Sequence, residues 1–151
     1  MEAPPKGPYV KAALFCEKVL EEKDGVTSFV RIIDKLMQTA AGPAVPESIQ
    51  PINYPMTCAV MLNPGAAIGR HDFSISVEPP SGFGKKVLGQ GTVHFEGPER
   101  TANIRIDLQM TFDQEGVYWF EVLLDGSVVL TRMPFVVQYT RVITPGTQSS
   151  T

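Results

Sequence analysis

Alternate positions of residues 102–112 are apolar: Ala102, Ile104, Ile106, Leu108, Met110 and Phe112, with Asn103, Arg105, Asp107, Gln109 and Thr111 between them. A period of two sends successive side chains to opposite faces of a strand, so this segment has one face for a core and one for water. Residues 71–78 repeat the pattern, with Phe73, Ile75 and Val77 set against Asp72, Ser74, Ser76 and Glu78. No segment sustains a helical period over three turns. Further strands are expected at 9–17, 26–36, 54–63, 86–95, 117–124 and 127–139. Turn chemistry separates most of them, at Asp24-Gly25, Asn63-Pro64-Gly65, Pro79-Pro80-Ser81-Gly82, Gly97-Pro98 and Asp125-Gly126.

About eight strands at short spacing, with no helices between them, predict an all-β fold built as a two-sheet antiparallel sandwich. Segment 42–55 carries Pro43, Pro46, Pro51 and Pro55, and is expected to be an extended crossing between the sheets. Residues 1–143 then form a single domain, and the polar residues 144–151 a disordered C-terminal tail.

The end of the chain points to an immunoglobulin-like arrangement. Gly116 precedes an alternating run that opens with Tyr118, and Asp125-Gly126 supplies a tight turn to the last strand. In immunoglobulin-like folds a tyrosine at this place hydrogen-bonds back across the preceding corner. Antibody domains put a cysteine two residues later and a tryptophan on an earlier strand. Here Phe120 takes the cysteine position and Trp119 follows both cysteines, so the antibody-type disulfide core is absent.

Composition adds bounds more than functions. A chain of 151 residues can bury roughly two-thirds of its unfolded surface and folds without metal or disulfide. A net charge of -3 gives no electrostatic footprint for nucleic acid or an anionic membrane. The N-terminal residues do not read as a signal peptide and no apolar stretch approaches a membrane span, which predicts a cytoplasmic setting. Cys16 and Cys58 each sit in an apolar run, as buried free thiols do; a single disulfide is the alternative.

The runs Ala13-Leu14-Phe15-Cys16-Glu17-Lys18-Val19 and Lys23-Asp24-Gly25-Val26-Thr27-Ser28-Phe29-Val30-Arg31-Ile32-Ile33-Asp34 resemble the opening of an uncharacterised bacterial family. The Gly116-x-Tyr118-x-Phe120 strand and the Asp125-Gly126 turn resemble its end. The resemblance spans nearly the whole chain and implies a small immunoglobulin-like β-sandwich of unknown function. It brings no catalytic residues with it.

Few residues are arranged for chemistry. His71 and His94 are the only histidines, and a zinc site needs three or four converging ligands. The run Ser81-Gly82-Phe83-Gly84-Lys85-Lys86 lacks the spacing and the hydroxyl residue of a phosphate loop and reads as a hairpin loop. Cys16 and Cys58 lack the cationic, partly exposed setting of a nucleophile. The carboxylates Glu78, Glu96, Asp107 and Glu121 are read as surface acids on strands, although a glycosidase-type pair among them is the enzyme alternative. No cofactor or metal is expected.

One feature exceeds an ordinary sandwich. Strand 117–124 is apolar on both faces, with Tyr118, Phe120, Val122 and Leu124 on one and Val117, Trp119 and Leu123 on the other. A sandwich exposes its outer faces, so something should cover the second set. That cover is either the chain's own crossing 42–55 or N-terminal arm, or a partner. In the partner reading Val117, Trp119, Leu123 and Met133 form the interaction surface, with Trp119 and Met133 as anchors, because aromatic and Met side chains are enriched at interface cores. The expected function is a non-enzymatic protein-interaction or structural module, self-association included. The rival is a small-ligand binder or enzyme using a pocket at one end of the sandwich, near His71, Asp72 and loop 81–86.

Overall fold

The computed structural model describes residues 6–145; part of the expected tail, residues 146–151, lies outside them. Among the described residues nine strands follow one another: β1 (Tyr9–Glu21), β2 (Thr27–Ile33), β3 (Lys35–Gly42), β4 (Ile52–Asn63), β5 (Gly69–Glu78), β6 (Lys86–Phe95), β7 (Ala102–Phe112), β8 (Gly116–Leu124) and β9 (Val128–Ile143). They form a four-stranded sheet in the order β2-β1-β4-β7 and a five-stranded sheet in the order β3-β9-β8-β5-β6. The two-sheet all-β architecture expected from the alternation is what forms. Among the described residues no helix is long and apolar enough to cross a membrane.

Two expectations need correction. The segment 26–36, read as one strand, is two. The chain bends at Asp34, where the Asp34 carbonyl accepts the Val136 N–H at 3.0 Å. β2 stays beside β1 in the first sheet, whereas β3 joins the second by pairing with β9. That pair is parallel, so the sandwich is not purely antiparallel. The weakly apolar run from Lys35 to Gly42 hid this strand, because an edge strand needs only one inward row, here Leu36, Gln38 and Ala40.

The core forms where the inward rows of both sheets meet. On β7 the apolar row anticipated from sequence faces in, and Asn103, Arg105, Gln109 and Thr111 stay exposed. Phe15 and Phe112 from the four-stranded sheet meet Phe120 and Phe135 from the five-stranded sheet as one aromatic cluster. The crossing between the sheets covers 43–51, shorter than the 42–55 expected, because Ile52 to Pro55 already pair with β7 as the start of β4. Its Ile49 is buried in the core, and Gln50 exchanges two hydrogen bonds with the Gln38 side chain on β3, at 2.9 and 3.2 Å. The β1–β2 hairpin bends back at its far end. Val19 and Phe29 share a cavity of ≈ 40 Å³ with Ala59, Met61 and Asn103, which places them over the outer face of the four-stranded sheet.

Tyr118 closes the β7–β8 corner. Its ring packs edge-on against Phe112 at 4.9 Å, and its hydroxyl accepts the N–H groups of Asp113 and Gln114 at 3.1 and 3.0 Å. Tyr118→Phe keeps the ring and leaves both part-buried donors without their acceptor, so it is expected to destabilise the fold by about 1–3 kcal/mol. Urea denaturation reads this directly, and an unchanged midpoint would mean that water replaces the hydroxyl at no cost.

Candidate functional site

Two places merit attention, and they lie on different parts of the sandwich. The first is the outer face of the five-stranded sheet. Directly paired residues share a face, so Trp119, opposite Pro134 on β9 and Glu78 on β5, points outward. It retains 36% exposure, and the Arg132 guanidinium lies 4.6 Å from its ring centroid. Val117 and Leu123 are half-buried on the same side. Next to them Lys85 reaches back from the β5–β6 loop to pair with Glu121 at 3.2 Å, and Ser76 beneath is buried with its hydroxyl unpartnered. Long charged side chains therefore shield part of this face.

Met133 does not belong to it. It pairs with core-facing Phe120, is only 6% exposed, and packs between the sheets. Of the two expected anchors, Met133 is therefore corrected to a core residue, and it is Arg132 that lies beside Trp119 on the outer face. Period-two parity from Trp119 leads to Arg132 and Pro134 once the β8–β9 register is known; sequence alone left that register open.

The second place is the end of the sandwich where β5 begins. The His71 Nδ1 lies 2.7 Å from Asp125 Oδ2, and its Nε2 lies 3.0 Å from the Ile68 carbonyl oxygen. Asp125 Oδ1 accepts the Asp72 N–H at 3.1 Å, and the Asp125 N–H donates to the Asp72 carbonyl at 2.7 Å. The hydrogen bond to Asp125 raises the His71 pKa, and the Ile68 carbonyl adds to the effect. The same pairing lowers the Asp125 pKa. Beside this cluster a shallow, mostly apolar pocket of ≈ 330 Å³ is lined by Lys6, Pro8, Ala66, Leu124 and Val128 among others. Asp125, read from sequence only as a turn residue, proves to be the partner of His71 from 54 positions away.

The structure does not assemble the other candidates. Loop 81–86 begins at the opposite end of β5 from His71, about 23 Å of strand away, so the two do not share a pocket. The loop is a hairpin connection, with Gly82 and Gly84 at φ of 76° and 83°. His94 pairs with Arg70 and His71 with Val93, which puts the two histidines on opposite faces. No cluster of three metal-ligating side chains occurs among the described residues. Cys16 and Cys58 are buried free thiols. Phe15 pairs with Cys58 and Cys16 with Thr57, so the two thiols lie on opposite faces of the sheet and cannot bond. Burial raises both thiol pKa values, that of Cys58 to about 12, which removes them as nucleophiles at neutral pH.

Three of the four carboxylates weighed as a catalytic pair are engaged with other side chains, and the fourth, Glu78, shares the outer face with Glu121 on the neighbouring strand. Asp107 accepts the Thr57 hydroxyl at 2.8 Å, Glu96 binds Arg100 at 2.7 Å and Glu121 holds Lys85. A groove of ≈ 530 Å³ and mixed polarity beside the β1–β2 hairpin contains Glu17, Tyr54, Arg105 and Asp107. Its groups also bond one another, Tyr54 donating to Glu17 at 2.8 Å and Arg31 pairing with Glu17 at 2.9 Å.

With this geometry in hand, comparison with known proteins adds a family and no activity. The model of a family of unknown function, DUF6941, matches residues 11–138. No curated protein matches the chain.

Proposed function

The chain belongs to that family of unknown function, as its opening hairpin and its Gly116-x-Tyr118-x-Phe120 strand led us to expect, and from its own geometry we propose a non-enzymatic protein-interaction or structural module that binds through the outer face around Trp119. The observation that carries this reading is the Trp119–Arg132 pair, stacked at 4.6 Å on an outer sheet face with the indole still 36% exposed. Tryptophan and arginine are the side chains that most often dominate binding energy, because each couples a large apolar area to directional hydrogen bonding. Half-buried Val117 and Leu123 extend the face on β8.

The frame is in our reading immunoglobulin-like. The Tyr118 hydroxyl bonded back to the Asp113 and Gln114 amides supports it, as does a sheet order in which β9, β8 and β5 are neighbours with β3 added in parallel. A cytoplasmic setting and a protein partner, a second copy of the chain included, belong to the same proposal.

Trp119→Ala should weaken self-association or capture of a partner by tenfold or more while leaving the fold intact, since an interface hot spot contributes at least about 2 kcal/mol. Sedimentation of the wild type and the variant at matched concentrations, with denaturation curves as the folding control, measures both quantities. Identical association of the two proteins would sink the proposal. The enzyme or ligand-binding alternative finds a histidine–carboxylate pair beside a pocket, but both ring nitrogens of His71 already face acceptors.

A further inference from the structure

The environment of His71 is unusual in a way that the proposed binding face does not use. A neutral imidazole has one N–H and one bare nitrogen, so it satisfies one acceptor and is repelled by a second. Here both neighbours are acceptors: the Asp125 carboxylate on Nδ1 at 2.7 Å and the Ile68 carbonyl on Nε2 at 3.0 Å. Only the imidazolium makes both bonds. These contacts join three segments: the start of β5, the β8–β9 turn that carries Asp125, and the loop 64–69. The loop is bounded by Gly65 and Gly69 at φ of 59° and 85°, backbone states that glycine adopts freely, and it carries Ile68 with its side chain 72% exposed.

We propose that His71 is a pH-sensitive latch: as an imidazolium it pins the Ile68 segment to the β8–β9 turn, and on losing its proton it releases the Ile68 carbonyl while keeping Asp125. The order of release follows from charge. Asp125 is an ionised acceptor and retains the shared proton at Nδ1, which leaves the lone pair of Nε2 facing the lone pairs of the carbonyl oxygen. Among the described residues, the titratable or charged groups that act on His71 are Asp125 from the turn, Lys6 from the N-terminal segment and, from the other face of its own strand, Asp72. The loop contributes only the Ile68 carbonyl, and β6 presents the Phe95 ring at 5.2 Å. His94 of β6 lies on the other face. Two carboxylates outweigh one exposed lysine, so the surroundings favour the cation.

The sign of the pH dependence is set by both partners. A His71 pKa raised above the ordinary value of about 6.5 means that the latch is fully closed below that pH and opens as pH climbs through the raised value. The lowered pKa of Asp125 means that the carboxylate side is lost only in acid, below the ordinary carboxylate range. The latch is therefore closed from mild acid to its opening point.

Nuclear magnetic resonance on the full chain tests this. The ring nitrogens of His71 and the amides of Ala66, Ala67 and Ile68 are followed across pH. The latch requires His71 to titrate above the ordinary imidazole value of about 6.5, the loop amides to change with the His71 midpoint, and the neutral ring to keep its proton on Nδ1. Asp125→Asn keeps a residue that tolerates the left-handed turn, where φ is 52°, and removes the charge. It should move the His71 and loop midpoints together to lower pH. His71→Gln should leave the loop amides without a transition near neutrality while the β-strand amides stay as in the wild type. Loop amides that ignore the His71 titration, or a His71 midpoint unmoved by Asp125→Asn, overturn the proposal.

Discussion

Phe135→Ala is expected to destabilise the protein by about 3–5 kcal/mol, the largest loss of any single truncation proposed here. Phe135 has no exposed surface. Its ring stacks on Phe112 with centroids 4.9 Å apart and planes 7° from parallel, and it meets Phe15 edge-on at 5.7 Å. Those two partners belong to the four-stranded sheet, whereas Phe135 belongs to β9 of the other. Removing the ring therefore opens a cavity at the junction of both sheets, where neither can relax without dragging its hydrogen-bonded neighbours. Guanidinium denaturation measures the loss. A change below about 1 kcal/mol would show that the two sheets close over the gap.

Gly116→Ala should cost about 2–4 kcal/mol, for two separable reasons. Gly116 has φ of 128°, a backbone state that is strained for any residue with a Cβ. A Cβ there would also stand 2.9 Å from the Pro80 Cβ, on the loop that leaves β5. The glycine lets the start of β8 pass under the β5–β6 loop, next to the corner that Tyr118 ties. The double variant Pro80→Ala with Gly116→Ala tests the division. Alanine keeps the Cβ that Gly116→Ala would strike at 2.9 Å and removes only the ring atom at 3.2 Å, so partial recovery is expected. No recovery at all would assign the whole effect to backbone strain and the Cβ contact.

Much of this architecture was legible in the chain. β6 and β7 run over the residues that alternation assigned to them, and the Tyr118 corner was anticipated from a Gly-x-Tyr pattern after a long strand. These features were readable because they are local: a period of two, a turn pair and a corner residue are written within about ten positions. The break at Asp34 was not. Residues 26–36 have the composition of one strand, and nothing in them says that the first part pairs with β1 and the second with β9, some hundred residues away. Met133 was misplaced for a related reason. Its face is decided by its pairing with Phe120, and a slip of one residue would have sent it outward.

The candidate site divides in the same way. Trp119 stood out because β8 has apolar residues in both rows, a property of the strand itself. Arg132 over its ring, and the burial of Ser76 beneath the Lys85–Glu121 pair, depend on which strands flank β8. His71 and Asp125 each looked ordinary, the one a strand-start histidine and the other half of an Asp-Gly turn. Only the pairing of β5 with β8 brings the turn against the strand start and places two acceptors on one imidazole.

By itself, then, the sequence determined that this protein is a two-sheet all-β protein, which rows of β5, β7 and β8 are buried, and that β8 has an apolar outer row. Hydrophobic period and turn residues act over a few neighbouring positions and carry that information unaided. Only the tertiary structure decided which strand lies beside which, that β3 runs parallel to β9, and which charges meet Trp119 and His71. Strand order and register are set by the simultaneous burial of both sheets, a condition that no single segment encodes.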